Sequence, residues 1–233
     1  MGTTSFLHVR SMRTITAAQS LSLTGADGSV ATVGFLQFTS PNTRLVTDDT
    51  TFTTLEFTDS LTVKTDKRCT VQTLSGSGDV TFEGNGAVTL VSNTDPVDIV
   101  MHASTLTITQ ATEFGAVTTS GTLVLEGDTT FTSLTVESFG SVDVASTVES
   151  LNLGELTSAT PVPLVIRPGT STLTMEFTTK ATTPFIVASA KNRRVSSQLY
   201  CDSQVILGGV DSMTDPALEK QTCTALGFWQ HTC

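Results

Sequence analysis

Short apolar segments recur along the middle of the chain at intervals of 8 to 10 residues. Within each segment apolar and polar residues alternate, as in LTV, VTF and LVL. This period of two predicts a strand with one buried face, and turn-forming stretches such as SGSGD and EGNGA separate the segments. The segments begin at Phe52, Leu61, Val71, Val80, Val88, Val97, Leu106, Phe114, Leu123 and Phe131. So short a repeat leaves no room for a helix, and an all-β protein is predicted.

Two nearly identical nonapeptides indicate how the strands are arranged. DTTFTTLEF begins at Asp49 and DTTFTSLTV begins at Asp128, 79 positions later. A meander of antiparallel hairpins would explain the strand spacing, but a solenoid of stacked coils also explains the repetition. Nine strand-to-strand steps separate Phe52 from Phe131, and nine is a multiple of three. We therefore predict a three-sided parallel β-solenoid with coils of about 26 residues, in which Phe52 and Phe131 lie on the same side.

This interpretation assigns each strand to one of three sheets. The first would stack TFTTLEF, DVTFEG, TLTIT and TFTSLTV; the second SLTV, AVTL, FGAV and SVDV; the third TVQTL, VDIV, TLVLEG and VESLNL. The solenoid would occupy residues 21–180 with about six coils. Because the open ends of a solenoid expose unpaired strand edges, residues 1–20 are predicted to be an N-terminal cap or arm. Residues 181–233, which lose the repeat, are predicted to be a C-terminal cap or small module.

The charge of the chain is strongly negative and unevenly distributed. The formal net charge is −10, and no Lys or Arg occurs between Arg68 and Arg167, a stretch that contains eleven carboxylates. Such a surface repels phosphate backbones, so nucleic acid is not expected as a partner. The carboxylates are explained either as a solvated surface that keeps the β-rich chain soluble or as an attraction for cations and basic partners.

No apolar run is long enough to span a bilayer, and the N-terminal residues lack the apolar segment of a signal peptide. Either the chain is not secreted by the classical route, or a signal was removed and Met1 is not native. The predicted location is nevertheless extracellular, at a cell surface or on a viral particle. This location follows from the structural or adhesive surface role that is predicted at the end of this subsection.

Four cysteines are present, and three of them fall in the predicted C-terminal module. They are Cys69, Cys201, Cys223 and Cys233. No CxxC pair occurs, so a zinc site is not expected. The cysteines are either free thiols or form one or two disulfides, and the sequence does not choose among the three pairings that four cysteines allow.

Residues that could carry catalysis or bind a metal are few. Asp95 and Asp98, in NTDPVDIV, are the nearest approach to a catalytic carboxylate pair, but turn carboxylates that cap backbone amides explain them better. His8, His102 and His231 lack metal-ligand spacing, and GSGDVTFEGNG does not repeat as a calcium-binding nonapeptide would. No phosphate- or dinucleotide-binding motif occurs. No catalytic residue, metal site or cofactor is therefore predicted.

Threonine is the most common residue, which suggests ice binding as a further hypothesis, because ranks of threonine on one flat face can order water. From the sequence, however, TFT at Thr51 and TLTIT at Thr105–Thr109 do not keep a common register. Threonine as an ordinary outward-facing strand residue is the preferred explanation.

Residues 50–156 resemble the right-handed parallel β-helices of pectate-lyase-like enzymes, phage tailspikes and filamentous-haemagglutinin-like adhesins, in the period and alternation described above. The resemblance implies an elongated surface protein, an adhesin or an enzyme that acts on polysaccharides. A lyase of this kind pairs its carboxylates with an Arg or Lys base, which the cation-free stretch lacks.

The predicted function is that of a non-enzymatic structural or adhesive surface protein, a rigid rod-like solenoid. Its expected partners are further copies of itself or neighbouring surface proteins, with glycans as a further class. The alternative is a carbohydrate-active or carbohydrate-binding β-helix protein, for which only Tyr200 and Trp229 could supply Tyr or Trp platforms. Ice binding is the third hypothesis.

Overall fold

The structure is a computed structural model. It describes residues 4–158, 163–167, 173–179, 185–189, 194–201, 205–208, 212–214 and 223–224. Side chains are described as far as residue 177, apart from a few positions.

The described residues are almost entirely strands, with one short 3-10 helix at Ala26–Gly28. The strands are β1 Thr4–Val9, β2 Ser11–Ala17, β3 Ser20–Gly25, β4 Ala31–Phe38, β5 Thr43–Asp48, β6 Thr50–Phe57, β7 Ser60–Lys64, β8 Arg68–Gly76, β9 Asp79–Glu83, β10 Ala87–Asn93, β11 Asp98–Met101, β12 Thr105–Ile108, β13 Thr112–Thr119, β14 Thr122–Leu125, β15 Thr129–Val136, β16 Ser141–Val144, β17 Ser150–Ser158, β18 Pro163–Ile166, β19 Leu173–Thr179, β20 Phe185–Ser189, β21 Arg194–Cys201, β22 Val205–Gly208, β23 Ser212–Thr214 and β24 Cys223–Thr224.

The chain forms two compact units, one of residues 1–109 and 113–115 and the other of residues 110–112 and 116–233. In the first unit, β1, β3, β5, β7, β9 and β11 pair in that order, and so do β2, β4, β6, β8, β10 and β12. In the second unit the odd-numbered strands from β15 to β23 form one such series and the even-numbered strands from β14 to β24 form another. The pairings are parallel, for example β7 with β9 and β15 with β17. The prediction of an all-β parallel β-solenoid is confirmed.

The coils are shorter than predicted. In the first unit Phe52 aligns with Val71 and Leu61 aligns with Val80, so one coil takes about 19 residues rather than about 26. In the second unit the coil from Leu123 to Val142 has the same length, whereas the coil from Leu151 to Met175 is longer, at about 24 residues. The span predicted to hold six coils therefore holds about eight.

The sheet assignments made from the longer period are wrong. TFTTLEF, in β6, pairs with β8 and not with DVTFEG, in β9. SLTV, in β7, pairs with β9 and not with AVTL, in β10. TVQTL, in β8, pairs with β10 and not with VDIV, in β11. Phe52 lies in an even-numbered strand and Phe131 in an odd-numbered one, so the two nonapeptides do not occupy the same side of successive coils.

The nonapeptides nevertheless adopt the same local structure, because each forms a long strand whose alternation breaks in the middle. In β6 the inward side chains are Phe52, Leu55 and Phe57. In β15 they include Phe131 and Leu134. Two successive inward residues three positions apart cannot lie on one regular pleat, so the strand turns a corner between them. A short strand and a bent strand together give each coil three inward-facing segments.

The core is formed by columns of like side chains, one from each coil. Leu36, Leu55 and Leu74 align in neighbouring coils, and all three are fully buried. The largest buried side chains are aromatic: Phe38, Phe52, Phe57, Phe82, Phe114, Phe131 and Phe177. Because aligned side chains lie in neighbouring coils, the alternation seen in the sequence becomes a buried apolar interior within each unit.

The predicted terminal regions also contain strands of the coil pattern. Residues 4–17, in the predicted N-terminal cap or arm, form β1 and β2, which pair in parallel with β3 and β4. In the predicted C-terminal module, β20 pairs with β22 and β21 with β23, also in parallel. Among the described residues, no helix is long and apolar enough to cross a membrane.

Candidate functional site

A threonine ladder runs along the outer surface of the first unit. Five threonines from consecutive even-numbered strands align in register: Thr32 with Thr51, Thr51 with Thr70, Thr70 with Thr89, and Thr89 with Thr107. Thr32 is exposed and the other four are half-buried. Since parallel strands lie about 4.8 Å apart, the ladder places one hydroxyl and one methyl group at each step of a regular row.

The buried positions beside the ladder explain why it is straight. In β6, β8 and β10 the residues on both sides of the ladder threonine point inward and are completely or almost completely buried. They are Thr50 and Phe52, Cys69 and Val71, and Val88 and Leu90. The core columns therefore keep the outward threonines of successive coils in register. The sequence-based conclusion that the threonines keep no common register is wrong for this surface.

Turn carboxylates tie neighbouring coils together. Asp48 Oδ1 accepts hydrogen bonds from the backbone N–H of Asp66, at 2.8 Å, and from the hydroxyl of Thr65, at 3.3 Å. Asp66 Oδ1 in turn accepts from the backbone N–H of Asn85 in the following coil, at 3.1 Å. These carboxylates satisfy turn amides that no strand pairing reaches, as expected for turn aspartates.

Asp128, the first residue of the second nonapeptide, has the same role. Its Oδ1 accepts from the backbone N–H groups of Glu149 and Ser150, at 2.7 and 2.9 Å. The matching residue of the first nonapeptide, Asp49, instead forms ion pairs with Lys67 and Arg68, at 3.4 and 3.3 Å. Asp49 also has a φ of 49°, a left-handed conformation that aspartate tolerates better than most residues.

An open groove of about 690 Å³ lies at a corner of the first unit, where β6 and β8 end. Four carboxylates line it, together with three hydroxyl side chains. They belong to Glu56, Asp79, Asp95 and Asp98, and to Thr58, Ser75 and Ser77. Gly76 aligns with Phe57, and a Cβ at Gly76 would meet the Phe57 ring. Glycine at position 76 therefore leaves room for the buried Phe57 ring, and both residues line the groove.

The structure brings the predicted carboxylate pair, Asp95 and Asp98, into this groove. Asp95 lies in the turn after β10, where its Oδ2 accepts a hydrogen bond from the Thr94 hydroxyl and its carbonyl accepts from Asn93 Nδ2. Asp98 begins β11 and aligns with Asp79 at the start of β9. Sequence reasoning missed the contributions of Glu56 and Asp79, since these depend on the shorter coil.

Asn93 is a half-buried amide at the edge of this region. It aligns with Leu74 and so continues the column of Leu36, Leu55 and Leu74. Its Nδ2 donates to the carbonyls of Asp95 and Glu113, both at 2.7 Å, whereas its Oδ1 is buried without a hydrogen-bond partner. The amide thus stabilises the turn that presents Asp95, at the cost of one unsatisfied acceptor.

The other residues singled out in the sequence show no catalytic arrangement in the described part of the chain. His8 Nδ1 lies 2.8 Å from the Thr24 hydroxyl, and His102 is exposed after β11. Gly84, in the GSGDVTFEGNG segment, has a φ of 100° and its Cβ would clash with the Thr65 carbonyl, so a tight turn accounts for it. Among the described residues, no group of three or more His, Cys, Asp or Glu could hold a metal ion.

Cys69 is a free thiol, completely buried in β8. Burial, together with the nearby charge of Asp48, raises the pKa of this thiol to about 12, so it stays protonated and unreactive at neutral pH. The side chains of Cys201, Cys223 and Cys233, and those of His231, Tyr200 and Trp229, lie outside the described residues. Disulfide formation among the three C-terminal cysteines stays a prediction.

Arg167 and Asp143 form an ion pair on the surface of the second unit. The Arg167 guanidinium contacts both oxygens of the Asp143 carboxylate, with its shortest distance 2.6 Å. These hydrogen bonds raise the pKa of Arg167 further above its usual range. Asp143 aligns with Val165 of the neighbouring coil, two residues before Arg167. The ion pair therefore joins one coil to the next.

Comparisons with protein families, with curated proteins and with solved structures found no match.

Proposed function

We propose that this protein is a non-enzymatic structural or adhesive component of a cell or particle surface. The threonine ladder carries the proposal: five successive coils present the same side chain at the same outward position, over a fully packed interior. A row of identical groups at fixed spacing offers a partner a repeated contact. A row made only of threonines contains no base that would activate a hydroxyl as a nucleophile.

The construction of the coils supports this role. The backbone N–H and C=O groups of each inner strand pair with a coil on either side, and the core columns have no exposed apolar residue along the ladder. Local opening of one coil would break both its strand pairings and its core contacts at once. A protein built in this way holds its outer side chains in place under load, as a structural or adhesive component requires.

Location is the most direct test of this proposal. Antibodies raised against the full chain should label the surface of intact source cells or particles in immunogold electron microscopy, and should give no additional label after permeabilisation. Pre-immune serum and serum adsorbed with the purified protein are the controls. Label confined to the interior would refute the proposal.

The ladder itself is tested by a matched pair of substitutions. Thr70→Lys places a charge in the middle of the ladder, whereas Thr62→Lys places the same charge at an outward position of β7. Both threonines are half-buried. Adhesion of the purified protein to isolated source surfaces should fall at least about tenfold for Thr70→Lys and change little for Thr62→Lys. Equal losses would show that the ladder is not the contact surface.

Ice binding is a second candidate function, favoured by the alignment that the sequence did not reveal. A straight row of threonine hydroxyl and methyl groups at strand spacing can order water into a regular layer. Purified protein would then show thermal hysteresis, lost in Thr70→Tyr and retained in Thr62→Tyr. Absence of thermal hysteresis and of recrystallisation inhibition would exclude this candidate and leave the adhesive role intact.

A carbohydrate-active protein, the alternative predicted from the sequence, would have its site in the acidic groove. Release of reducing ends or unsaturated products from a panel of acidic and neutral polysaccharides would then be expected. Its loss in the double variant Asp95→Asn/Asp98→Asn would place the reaction in the groove. That result would replace the non-enzymatic proposal.

A further inference from the structure

Phe139 is the most exposed large apolar residue in the described part of the chain. It lies in the turn between β15 and β16 and is 98% exposed, whereas most of the described phenylalanines are core residues. A single exposed apolar side chain is ordinary on a protein surface. Exposure alone therefore assigns Phe139 no role, and a second property of this residue is needed.

The backbone of Phe139 provides that second property. Its φ is 74°, in the left-handed region. The other described non-glycine residues with a positive φ are Asn42 and Asp49, which belong to the residue types that tolerate this conformation, whereas for a bulky side chain it is an outlier. Phe139 therefore has a strained backbone and gains no burial from it. Such strain at an exposed position favours a role in binding.

The geometry of the turn explains why the strain falls on Phe139 and not on the glycine beside it. The Gly140 N–H donates to the Glu137 carbonyl at 2.9 Å, and the Glu137 N–H donates to the Thr119 carbonyl of the preceding coil at 2.8 Å. The third residue of such a turn, here Phe139, is usually glycine or asparagine when its φ is positive. Glycine is needed one position later, because a Cβ at position 140 would lie 2.8 Å from the Thr119 carbonyl oxygen. Packing thus accounts for Gly140 but not for an aromatic ring at position 139.

The charge around this turn is negative. Glu137 is exposed in the same turn. No Lys or Arg occurs between Arg68 and Arg167, and Arg167 itself is bound to Asp143. A partner that reaches Phe139 therefore meets carboxylates, and cations on that partner would be complementary to them.

We propose that Phe139 is an anchor that inserts into an apolar pocket of a partner protein, and that Lys or Arg side chains at the rim of this pocket contact Glu137. A few residues carry most of the binding energy of a protein interface, and they are often aromatic side chains that fill a pocket on the partner. Because the turn already fixes the backbone that carries the ring, binding costs little backbone entropy. This contact goes beyond the adhesive role proposed for the threonine ladder.

Other occupants fit the exposed ring less well. A sugar stacked on the ring would cover one of its faces and leave the other in water, whereas a pocket encloses both. The headgroups of an anionic membrane would repel the carboxylates of this surface. A second copy would bring two acidic surfaces together, and like charges disfavour that contact.

The first experiment measures whether the ring is available as an anchor. Full-length protein with a fluorinated phenylalanine at position 139 is titrated with β-cyclodextrin, whose apolar cavity takes a phenyl ring, and with an aminated β-cyclodextrin, whose rim carries cations. Fluorine NMR should show binding of both hosts, with the aminated host at least about threefold tighter at low salt. An unchanged fluorine signal with both hosts would overturn the proposal.

The charge requirement is tested in the same labelled protein by a matched pair of substitutions. Glu137→Gln and Glu149→Gln each remove one exposed carboxylate from the second unit. Glu137→Gln should reduce the preference for the aminated host at least about twofold more than Glu149→Gln does. Equal reductions would contradict the assignment of Glu137 to the contact.

The second experiment separates binding from folding by urea denaturation. Phe139→Asn removes the ring and introduces a residue that tolerates a positive φ, so the urea midpoint should not fall below that of the wild type. Ser138→Asn, the same new residue at the adjacent exposed position, is the matched control and should change the midpoint little. A clear fall for Phe139→Asn alone would show that the ring stabilises the fold, and would overturn the proposal.

The third experiment identifies the class of partner. Full-length protein with the photo-reactive residue p-benzoylphenylalanine at position 139, or at position 138 as the control, is irradiated on isolated source surfaces. Position 139 should cross-link to a protein, at a peptide in which Lys or Arg flanks apolar residues, and should do so more efficiently than position 138. Unlabelled wild type should compete for this cross-link, and Phe139→Asn should compete at least about tenfold less well.

Four results of the cross-linking would overturn the proposal. They are no cross-link, a cross-link to a glycan or a lipid, a cross-link to a second copy of the chain, and equal competition by wild type and Phe139→Asn. The host titration and the urea comparison do not involve source surfaces, so failure of this proposal can be distinguished from failure of the adhesive role.

Discussion

Replacement of Leu55 by alanine should destabilise the protein more than replacement of a typical surface residue, because Leu55 lies within a core column. The side chain is fully buried between Leu36 of the preceding coil and Leu74 of the following one. Leu→Ala substitutions in cores cost about 2 to 5 kcal/mol, and more where the surroundings cannot collapse. Strand pairing fixes the coils on both sides at the strand spacing, so we expect the upper part of that range, about 4 kcal/mol.

The assay is urea denaturation of Leu55→Ala and of Thr54→Ala, followed by circular dichroism. Thr54 is the adjacent residue of the same strand, is only half-buried and aligns with Thr73, so its replacement should change the free energy of unfolding by about 0.5 kcal/mol or less. A cost below about 1 kcal/mol for Leu55→Ala, or equal costs for the two variants, would refute the continuous core columns.

Three further substitutions test local features. Gly84→Ala should cost about 2 kcal/mol or more in unfolding free energy, since φ is 100° and the new Cβ would clash with the Thr65 carbonyl; a neutral effect would contradict the turn. The folded-state pKa of Cys69, about 12, exceeds its ordinary value of 9.0, so the unfolded chain loses this proton first and stability falls between these pH values. Wild type should therefore lose more stability than Cys69→Ala across that window, and iodoacetamide should label Cys69 only after unfolding; equal pH dependence would contradict the buried thiol. Asp128→Ala should lower the free energy of unfolding by about 1 to 2 kcal/mol because two turn amides lose their hydrogen-bond acceptor. Asp128→Asn keeps an acceptor oxygen and should lower it less. Equal losses would show that the charge of Asp128, and not its role as an acceptor, stabilises the turn.

The strands and the identity of the core residues could be predicted because the period-two alternation is local. Leu61 and Val63, or Val80 and Phe82, are inward in the sequence pattern and fully buried in the structure. Coil length could not be predicted in the same way, because a strand spacing of about nine residues is compatible with two or three strands per coil. The deciding signal was the three-residue step between the inward residues Phe52 and Leu55, which marks a corner inside one strand.

The threonine ladder was missed for the same reason. Thr32, Thr51, Thr70, Thr89 and Thr107 recur once per coil, but this repeat has meaning only once the coil length is known. The acidic groove was harder still to predict. Asp79 and Asp98 align only in the register of the shorter coil.

Disulfide cross-linking between neighbouring coils measures the central claim directly, namely that the short coils stack in register beneath the threonine ladder. Thr51 and Thr70 align on adjacent strands, which brings their Cα atoms within the roughly 4.4 to 6.8 Å that a disulfide spans. After mild oxidation, Thr51→Cys/Thr70→Cys should form an intramolecular disulfide that peptide mass spectrometry identifies. Thr51→Cys/Asp79→Cys, which would align only if the longer predicted coil were correct, should not. Cross-linking of the second pair without the first would contradict the register on which the ladder, the groove and the core columns all depend.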